Sequence, residues 1–217
     1  MPIKKEREYR NFEVRAMLVQ EEKAEKPKMI VRGYASTFNN EYVLYDDGEY
    51  EIREKIDAHA FDETDMTDTI MQYDHQGRVF ARVSNGTLSL NIDEEGLEIE
   101  GNLGGTDIGR QLHQEIEGGY TTKMSVGMTV DRAKDVWTRE ERAGKIVEIR
   151  TINKVKKLYD VSAVSLPAND ATSISVRTLT EGVIEKLKAE RLEAEKLALA
   201  KKKTELRAKA IIAGSKK

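Results

Sequence analysis

The chain of 217 residues contains no cysteine, three prolines, three histidines and few aromatic residues. The absence of cysteine excludes disulfides, thiolate metal ligands and a cysteine nucleophile. The histidines, His59, His75 and His113, lack the short paired spacing of zinc-binding helices, so neither a metal nor another cofactor is expected. A nucleophile, if the chain has one, must be a serine, a threonine or a carboxylate.

Long apolar runs are also missing. No run approaches the roughly 18 residues of a membrane span, and no apolar stretch follows a basic start. We therefore expect no membrane partner and no secretory signal, and a protein that is made in a cytoplasm.

Charged residues make up 35% of the chain, and they are distributed unevenly. Residues 181–217 carry eleven Lys or Arg against six Glu, whereas the whole chain has a net charge of −3. Because non-specific nucleic-acid binding depends on clustered positive charge, the negative body is not expected to bind nucleic acid. Only the basic tail is suited to an acidic partner.

The sequence divides into three segments. Residues 1–28 are a charged segment with a first strand around Phe12 to Leu18, residues 29–179 alternate like a folded domain, and residues 180–217 read as a proline-free basic helix. One core usually serves a chain of this length. The many short strands predict an α+β fold, namely a mainly antiparallel β-barrel with packed helices and a C-terminal helical tail.

Individual elements follow from hydrophobic periodicity and from turn residues. A helix should begin at Thr106 and end at Gly118-Gly119, and Trp137 to Gly144 reads as an exposed connection. The turn Asp93 to Gly96 predicts a hairpin between two strands. The predicted strands are Met29–Phe38, Tyr50–Ile56, Thr69–His75, Thr87–Ile92, Leu97–Leu103, Lys123–Val130, Val147–Ile152, Leu158–Leu166 and Ser173–Thr178.

Ser125 is the first candidate for chemistry. In a strand, Met124, Val126 and Met128 would face the core, while Ser125 and Gly127 would form the opposite face. A serine beside a glycine leaves room for a substrate backbone. Most serines on strands are nevertheless surface hydroxyls, so the local pattern alone does not decide.

His75 and Asp160 are the other two candidates. His75 ends a predicted strand, sharing a face with Met71 and Tyr73, and histidine ordinarily titrates near neutral pH, which suits a general base. Asp160 interrupts an apolar strand, and a buried carboxylate requires a partner. The partner of Asp160 could be an Arg or Lys with a structural role, or it could be the imidazole of His75. For His75 itself, a histidine that only caps a strand through a hydrogen bond is the commoner case.

Taken in order, these segments resemble the prohead maturation proteases of tailed phages, a family with the herpesvirus-assemblin type of fold. The resemblance spans about residues 12–178. Each motif is short, but their order along the chain is hard to obtain by chance. The motifs are Gly33-Tyr34-Ala35-Ser36-Thr37-Phe38, Ala60-Phe61, Tyr73-Asp74-His75, Gly96-Leu97-Glu98-Ile99-Glu100-Gly101, Met124-Ser125-Val126-Gly127-Met128, and Leu158-Tyr159-Asp160-Val161-Ser162 with Pro167-Ala168-Asn169.

The resemblance implies a serine endopeptidase with Ser125 as nucleophile, His75 as general base and Asp160 as orienting acid. The family usually has glycine at the position of His59, and often glutamate at the position of Asp160. His59 is therefore an alternative third member, since related herpesvirus enzymes use a second histidine. Oxyanion donors would be backbone amides near Ser125 or in the turn 167–169.

The implied partners are the phage scaffolding protein and the major capsid protein. The protease would cleave the scaffolding protein, or the scaffolding domain of the capsid protein, and itself inside the procapsid in the host cytoplasm. Homo-oligomerisation is left open. The alternatives are a catalytically inactive scaffold or assembly factor with the same fold, and a binding module whose basic tail contacts DNA or an acidic protein.

Overall fold

The computed structural model describes residues 8–12, 17–19, 29–165 and 174–214, with side chains described for Glu8, Arg10, 29–165 and 182–204. These residues form strands, two α-helices and the 3₁₀ helices Val83–Asn85 and Arg132–Lys134. The helices are α1 (Asp107–Glu117) and α2 (Ile174–Gly214). The strands are β1 (Glu8–Phe12), β2 (Met17–Val19), β3 (Ile30–Thr37), β4 (Tyr42–Asp46), β5 (Tyr50–Ile56), β6 (Ile70–Tyr73), β7 (Gln76–Arg82), β8 (Leu88–Ile92), β9 (Gly96–Asn102), β10 (Lys123–Val130), β11 (Val136–Arg142), β12 (Lys145–Ile152) and β13 (Val155–Val164).

The described strands form three sheets. Their orders are β1-β10-β13-β6-β7, β2-β3-β9-β8 and β11-β12-β5-β4. Most neighbouring strands are antiparallel, but β13 pairs with β6, and β12 with β5, in parallel. The predicted α+β class is confirmed. Among these strands no closed barrel is found, so the barrel stays a prediction.

The core lies between the inward faces of the strands and α1. Val126 and Met128 of β10 are fully buried, as the period-two pattern predicts, and Ser125 and Gly127 on the opposite face are buried as well. On α1, Leu112 and Ile116 are one helical turn apart and are both buried. The hydroxyl of Thr106 accepts the Gly109 N–H at 3.1 Å and caps this helix.

Several predicted elements are confirmed. β5 and β10 have the predicted bounds, and β8 pairs with β9 as an antiparallel hairpin. The hairpin turn is fixed by Asp93, whose Oδ1 accepts the N–H groups of Glu95 at 2.8 Å and Gly96 at 2.9 Å. Of the single strand predicted around Phe12 to Leu18, Phe12 lies in β1 and Leu18 lies in β2, while residues 13–16 lie outside the described part and the single strand stays a prediction.

Two predicted elements are wrong. The expected connection Trp137–Gly144 is mostly strand β11, which pairs with β12. β11 is an edge strand that exposes most of its residues, so its polar sequence has no period-two pattern. The expected strand Ser173–Thr178 falls largely in α2, which begins at Ile174. Its β-branched residues favour a strand only weakly against the helix-forming sequence that follows.

The chain divides into two compact units, Met1–Arg177 and Thr178–Lys217. The second unit consists mainly of α2, which exposes Leu192, Leu197 and Leu199. The finer division into residues 1–28, 29–179 and 180–217 stays a prediction. Within the described residues, none of the helices is both long and apolar enough to span a membrane.

Candidate active site

Ser125 lies near the start of β10, where β1 and β13 pair with β10 on either side. Its partner on β13 is Ser162, and Gly127 stands opposite Asp160. The Asp160 side chain is therefore next to a position without a side chain on β10. Ser125 itself is fully buried.

His75 is placed by a tight turn between β6 and β7. β6 ends at Tyr73, so the prediction that His75 continues this strand face is wrong. Asp74 and His75 form a two-residue loop with φ of 48° and 57°. Both central residues of a type I′ hairpin turn have positive φ, and the turn is normally built with glycine, asparagine or aspartate. A non-glycine residue in this region costs on the order of 1 kcal/mol and is often found at functional sites.

Asp74 fixes this turn to the end of β13. Its N–H donates to the Ala163 carbonyl oxygen at 2.9 Å, and its carboxylate accepts the N–H and the hydroxyl of Ser165, both at 2.9 Å. Because β13 also carries Asp160, the turn holds His75 at a set distance from that carboxylate.

Hydrogen bonds join the three side chains. His75 Nδ1 lies 2.6 Å from Asp160 Oδ1, and His75 Nε2 lies 2.6 Å from Ser125 Oγ. An ionised carboxylate only accepts, so a neutral imidazole in this position carries its hydrogen on Nδ1. Nε2 is then an acceptor directed at the serine hydroxyl. The Asp160 side chain is 1% exposed and that of His75 is 17% exposed, so the imidazole is the part of this group nearest to solvent.

Asp160 and Ser125 each make one further contact that the sequence did not predict. Ser162 Oγ donates to Asp160 Oδ1 at 2.8 Å, which helps to hold the carboxylate. Ser125 Oγ also lies 2.7 Å from the carbonyl oxygen of Arg10 on β1. The spacing of Ser162 two residues after Asp160 on one strand face was a usable signal. The long-range pairing of β1 with β10 gave no signal in the sequence.

The alternative residues lie elsewhere. His59 is exposed and its Nδ1 lies 3.1 Å from Asp62 Oδ2, and His113 is a partly buried residue of α1. Residues 167–169, predicted as one source of oxyanion donors, lie outside the described part. Across the described residues, no group of three or more His, Asp or Glu side chains could hold a metal ion.

A buried ionic cluster adjoins this group through β1. We use this name for Glu8, Arg10, Glu54, Asp135 and Arg150. Arg10 pairs with Glu8 and Glu54, while Arg150 Nη1 lies 3.0 Å from Glu8 and 2.7 Å from Glu54. Arg150 Nε donates to Asp135 at 2.7 Å. The cluster joins β1 to β5 and β12.

The carboxyl groups of the cluster respond to burial and to the arginines. Burial would raise the pKa of Glu8, but attraction to Arg10 and Arg150 outweighs it and lowers this pKa to about 2. Burial would likewise raise the pKa of Glu54, but attraction to Arg10 outweighs burial and lowers this pKa. For Asp135, burial prevails over Arg150 and raises the pKa. Glu8 and Glu54 are therefore held as carboxylates.

One comparison with known proteins identifies a family. Residues 15–186 match the model of the caudovirus prohead serine protease family. Among solved structures, the capsid assembly protease of bacteriophage T4 aligns with 72% of this chain and 98% of its own, at 11% identity and a TM-score of 0.40. A search of curated proteins gave no match. The chain belongs to the caudovirus prohead serine protease family.

Proposed function

We propose that Ser125, His75 and Asp160 form the catalytic triad of this prohead serine protease. The observation that carries the proposal is the run of contacts from Asp160 Oδ1 through both imidazole nitrogens to Ser125 Oγ, each 2.6 Å long. A nucleophile, a base within hydrogen-bond reach and an acid that orients the base define a triad by geometry, whatever their order in the chain.

The mechanism is acyl transfer. Ser125 Oγ attacks the scissile carbonyl carbon while His75 Nε2 takes the hydroxyl proton, and Asp160 stabilises the imidazolium through Nδ1–H. The carbon–nitrogen bond then breaks as His75 gives the proton to the leaving amine. A water molecule, deprotonated by His75, hydrolyses the acyl-enzyme and restores the serine. The negative oxygen requires donors that stabilise it.

The substrates that fit a prohead protease are the scaffolding protein, or the scaffolding domain of the major capsid protein, and the protease itself. Cleavage would occur in the assembling capsid inside the host cell. The support is membership of the family, which is defined by prohead serine proteases.

A second function is favoured by one observation. Ser125 is fully buried, as it would be in a catalytically inactive scaffold or assembly factor with the same fold. Such a protein needs no accessible nucleophile. The two functions differ in whether Ser125 reacts.

A serine-reactive phosphonate separates them. The protease should form a covalent adduct that mass spectrometry locates at Ser125, and both Ser125→Ala and His75→Ala should remove it. Replacing the exposed Ser89 by alanine is the matched control and should leave the adduct unchanged. If the wild-type protein stays unmodified while procapsid assembly still depends on it, the inactive scaffold is the better account.

A further inference from the structure

β1 is the edge strand of its sheet, and it pairs with β10, the strand that carries Ser125. It pairs antiparallel with β10 from Glu8 opposite Met128 to Phe12 opposite Met124, and Asn11 stands opposite Ser125. The sheet order begins with β1, so without this strand β10 would present a free edge directly beside Ser125. A free strand edge is a template for an extended peptide, which binds by main-chain hydrogen bonds.

The contact between β1 and Ser125 opposes catalysis. Ser125 Oγ lies 2.7 Å from the Arg10 carbonyl oxygen and 2.6 Å from His75 Nε2. A hydroxyl has one hydrogen, so it cannot donate fully to both acceptors. In addition, Ser125 Oγ contacts the carbonyl oxygen of Arg10. Attack on a peptide requires Oγ to approach the carbonyl carbon instead, while other donors hold the carbonyl oxygen. β1 therefore occupies the position of a peptide without being in position to be cut.

We propose that the edge of β10 covered by β1 is the docking site of the substrate strand, with Glu54 selecting a basic side chain. In this account β1 is an intramolecular stand-in for the substrate and must leave before a substrate binds. The proposal rests on the proposed function, because it assumes that Ser125 is the nucleophile.

The choice of a basic side chain follows from the buried ionic cluster. The residue whose carbonyl group contacts Ser125 is Arg10, and its side chain pairs with Glu54, which is fully buried. When β1 leaves, Arg10 and Glu8 leave together, and Glu54 keeps the Tyr42 hydroxyl and Arg150, which it then shares with Asp135 alone. A buried carboxylate that loses one of its two cationic partners is less well compensated. A substrate with arginine or lysine before the scissile bond restores the partner, and a neutral residue does not.

A reversible crosslink tests whether β1 must leave. Phe12 and Met124 are cross-strand partners, and the chain has no cysteine, so Phe12→Cys with Met124→Cys introduces one possible disulfide. Phosphonate labelling of Ser125 is measured in the oxidised and in the reduced state of the same protein. We expect the reduced form to react at least about a hundredfold faster, because the crosslink prevents β1 from leaving.

The outcomes of the crosslink test are distinct. Equal labelling rates in both states overturn the docking proposal and leave the nucleophile assignment intact. Absence of labelling in both states, and also in the wild-type protein, contradicts the proposed function, and the docking proposal falls with it.

Matched peptides test the role of Glu54 in the full-length wild-type protein. One peptide carries arginine before the scissile bond, and the other carries citrulline, which has nearly the same shape and no charge. We expect kcat/KM to be at least about tenfold higher for arginine, since only a cationic side chain replaces the ion pair that the buried Glu54 carboxylate makes with Arg10. Glu54→Gln should remove most of this preference. Equal kcat/KM values for the two peptides with the wild-type protein would overturn the selection of a basic side chain.

Discussion

Replacing Glu8 by glutamine removes a buried negative charge that three arginines contact. Glu8 Oε1 accepts from Arg132 at 2.8 Å, while Oε2 pairs with Arg10 and with Arg150. The pKa of Glu8 falls from 4.5 to about 2 on folding, because attraction to Arg10 and Arg150 exceeds the effect of burial. A shift of this size corresponds to about 3 kcal/mol in favour of the folded state when Glu8 is ionised.

The pH dependence follows from the direction of the shift. A depressed pKa in the folded state contributes stability above the unfolded value of 4.5, and this contribution is lost as the pH falls toward about 2. Glu8→Gln should therefore lower the free energy of unfolding by about 3 kcal/mol at neutral pH. The difference between wild type and variant should shrink as the pH drops through this acidic range.

Urea unfolding at a series of pH values measures both quantities. The control is Glu63→Gln, which removes a carboxylate that pairs with Lys154 on the surface, where its side chain is 75% exposed. Surface ion pairs contribute little, so the control should stay within about 1 kcal/mol of wild type. A loss for Glu8→Gln no larger than that of the control, or a loss that does not change between pH 4.5 and 2, would refute the account of the cluster.

Three other changes have expected outcomes. Asp160→Asn should lower kcat by a factor on the order of 10⁴, because asparagine stabilises the wrong tautomer of His75. His59→Ala should have little effect on kcat in the same peptide assay. A larger effect of the His59 change than of the Asp160 change would remove Asp160 from the triad. A chain that ends at Thr180 should cleave a peptide normally but enter procapsids poorly, and equal amounts of both proteins in purified procapsids would contradict a recruiting role of the tail. A chelator should leave peptide cleavage unchanged, and activity lost with the chelator and restored by zinc would contradict a metal-free mechanism.

Much of the fold around Ser125 could be predicted because it depends on local patterns. The alternation of Met124, Val126 and Met128 predicts β10 with its core face, and Asp93 predicts the turn of the β8–β9 hairpin. The sequence and its family resemblance predict all three proposed catalytic residues, and the structure brings them within hydrogen-bond distance. Their catalytic roles stay predictions until the variants are measured.

The remaining features depend on contacts between distant residues. His75 lies in a turn because Asp74 bonds to Ser165, ninety-one positions later, and no local pattern reports that contact. Arg10 is buried with Glu54 and Glu8 as ion-pair partners, whereas its sequence neighbours suggest a solvated segment. Charged residues in the first strand therefore gave no indication that this strand covers Ser125.

The most direct test of the central claim is processing of the capsid and scaffolding proteins during co-expression with this chain. Mass spectrometry of the products should find cleaved scaffold or capsid scaffolding domain with the wild-type protein and with the control Ser89→Ala. With Ser125→Ala the same proteins should stay intact, while the circular dichroism spectrum of the variant matches that of wild type. Wild-type levels of cleavage by the Ser125→Ala variant would contradict the assignment of Ser125 as the nucleophile.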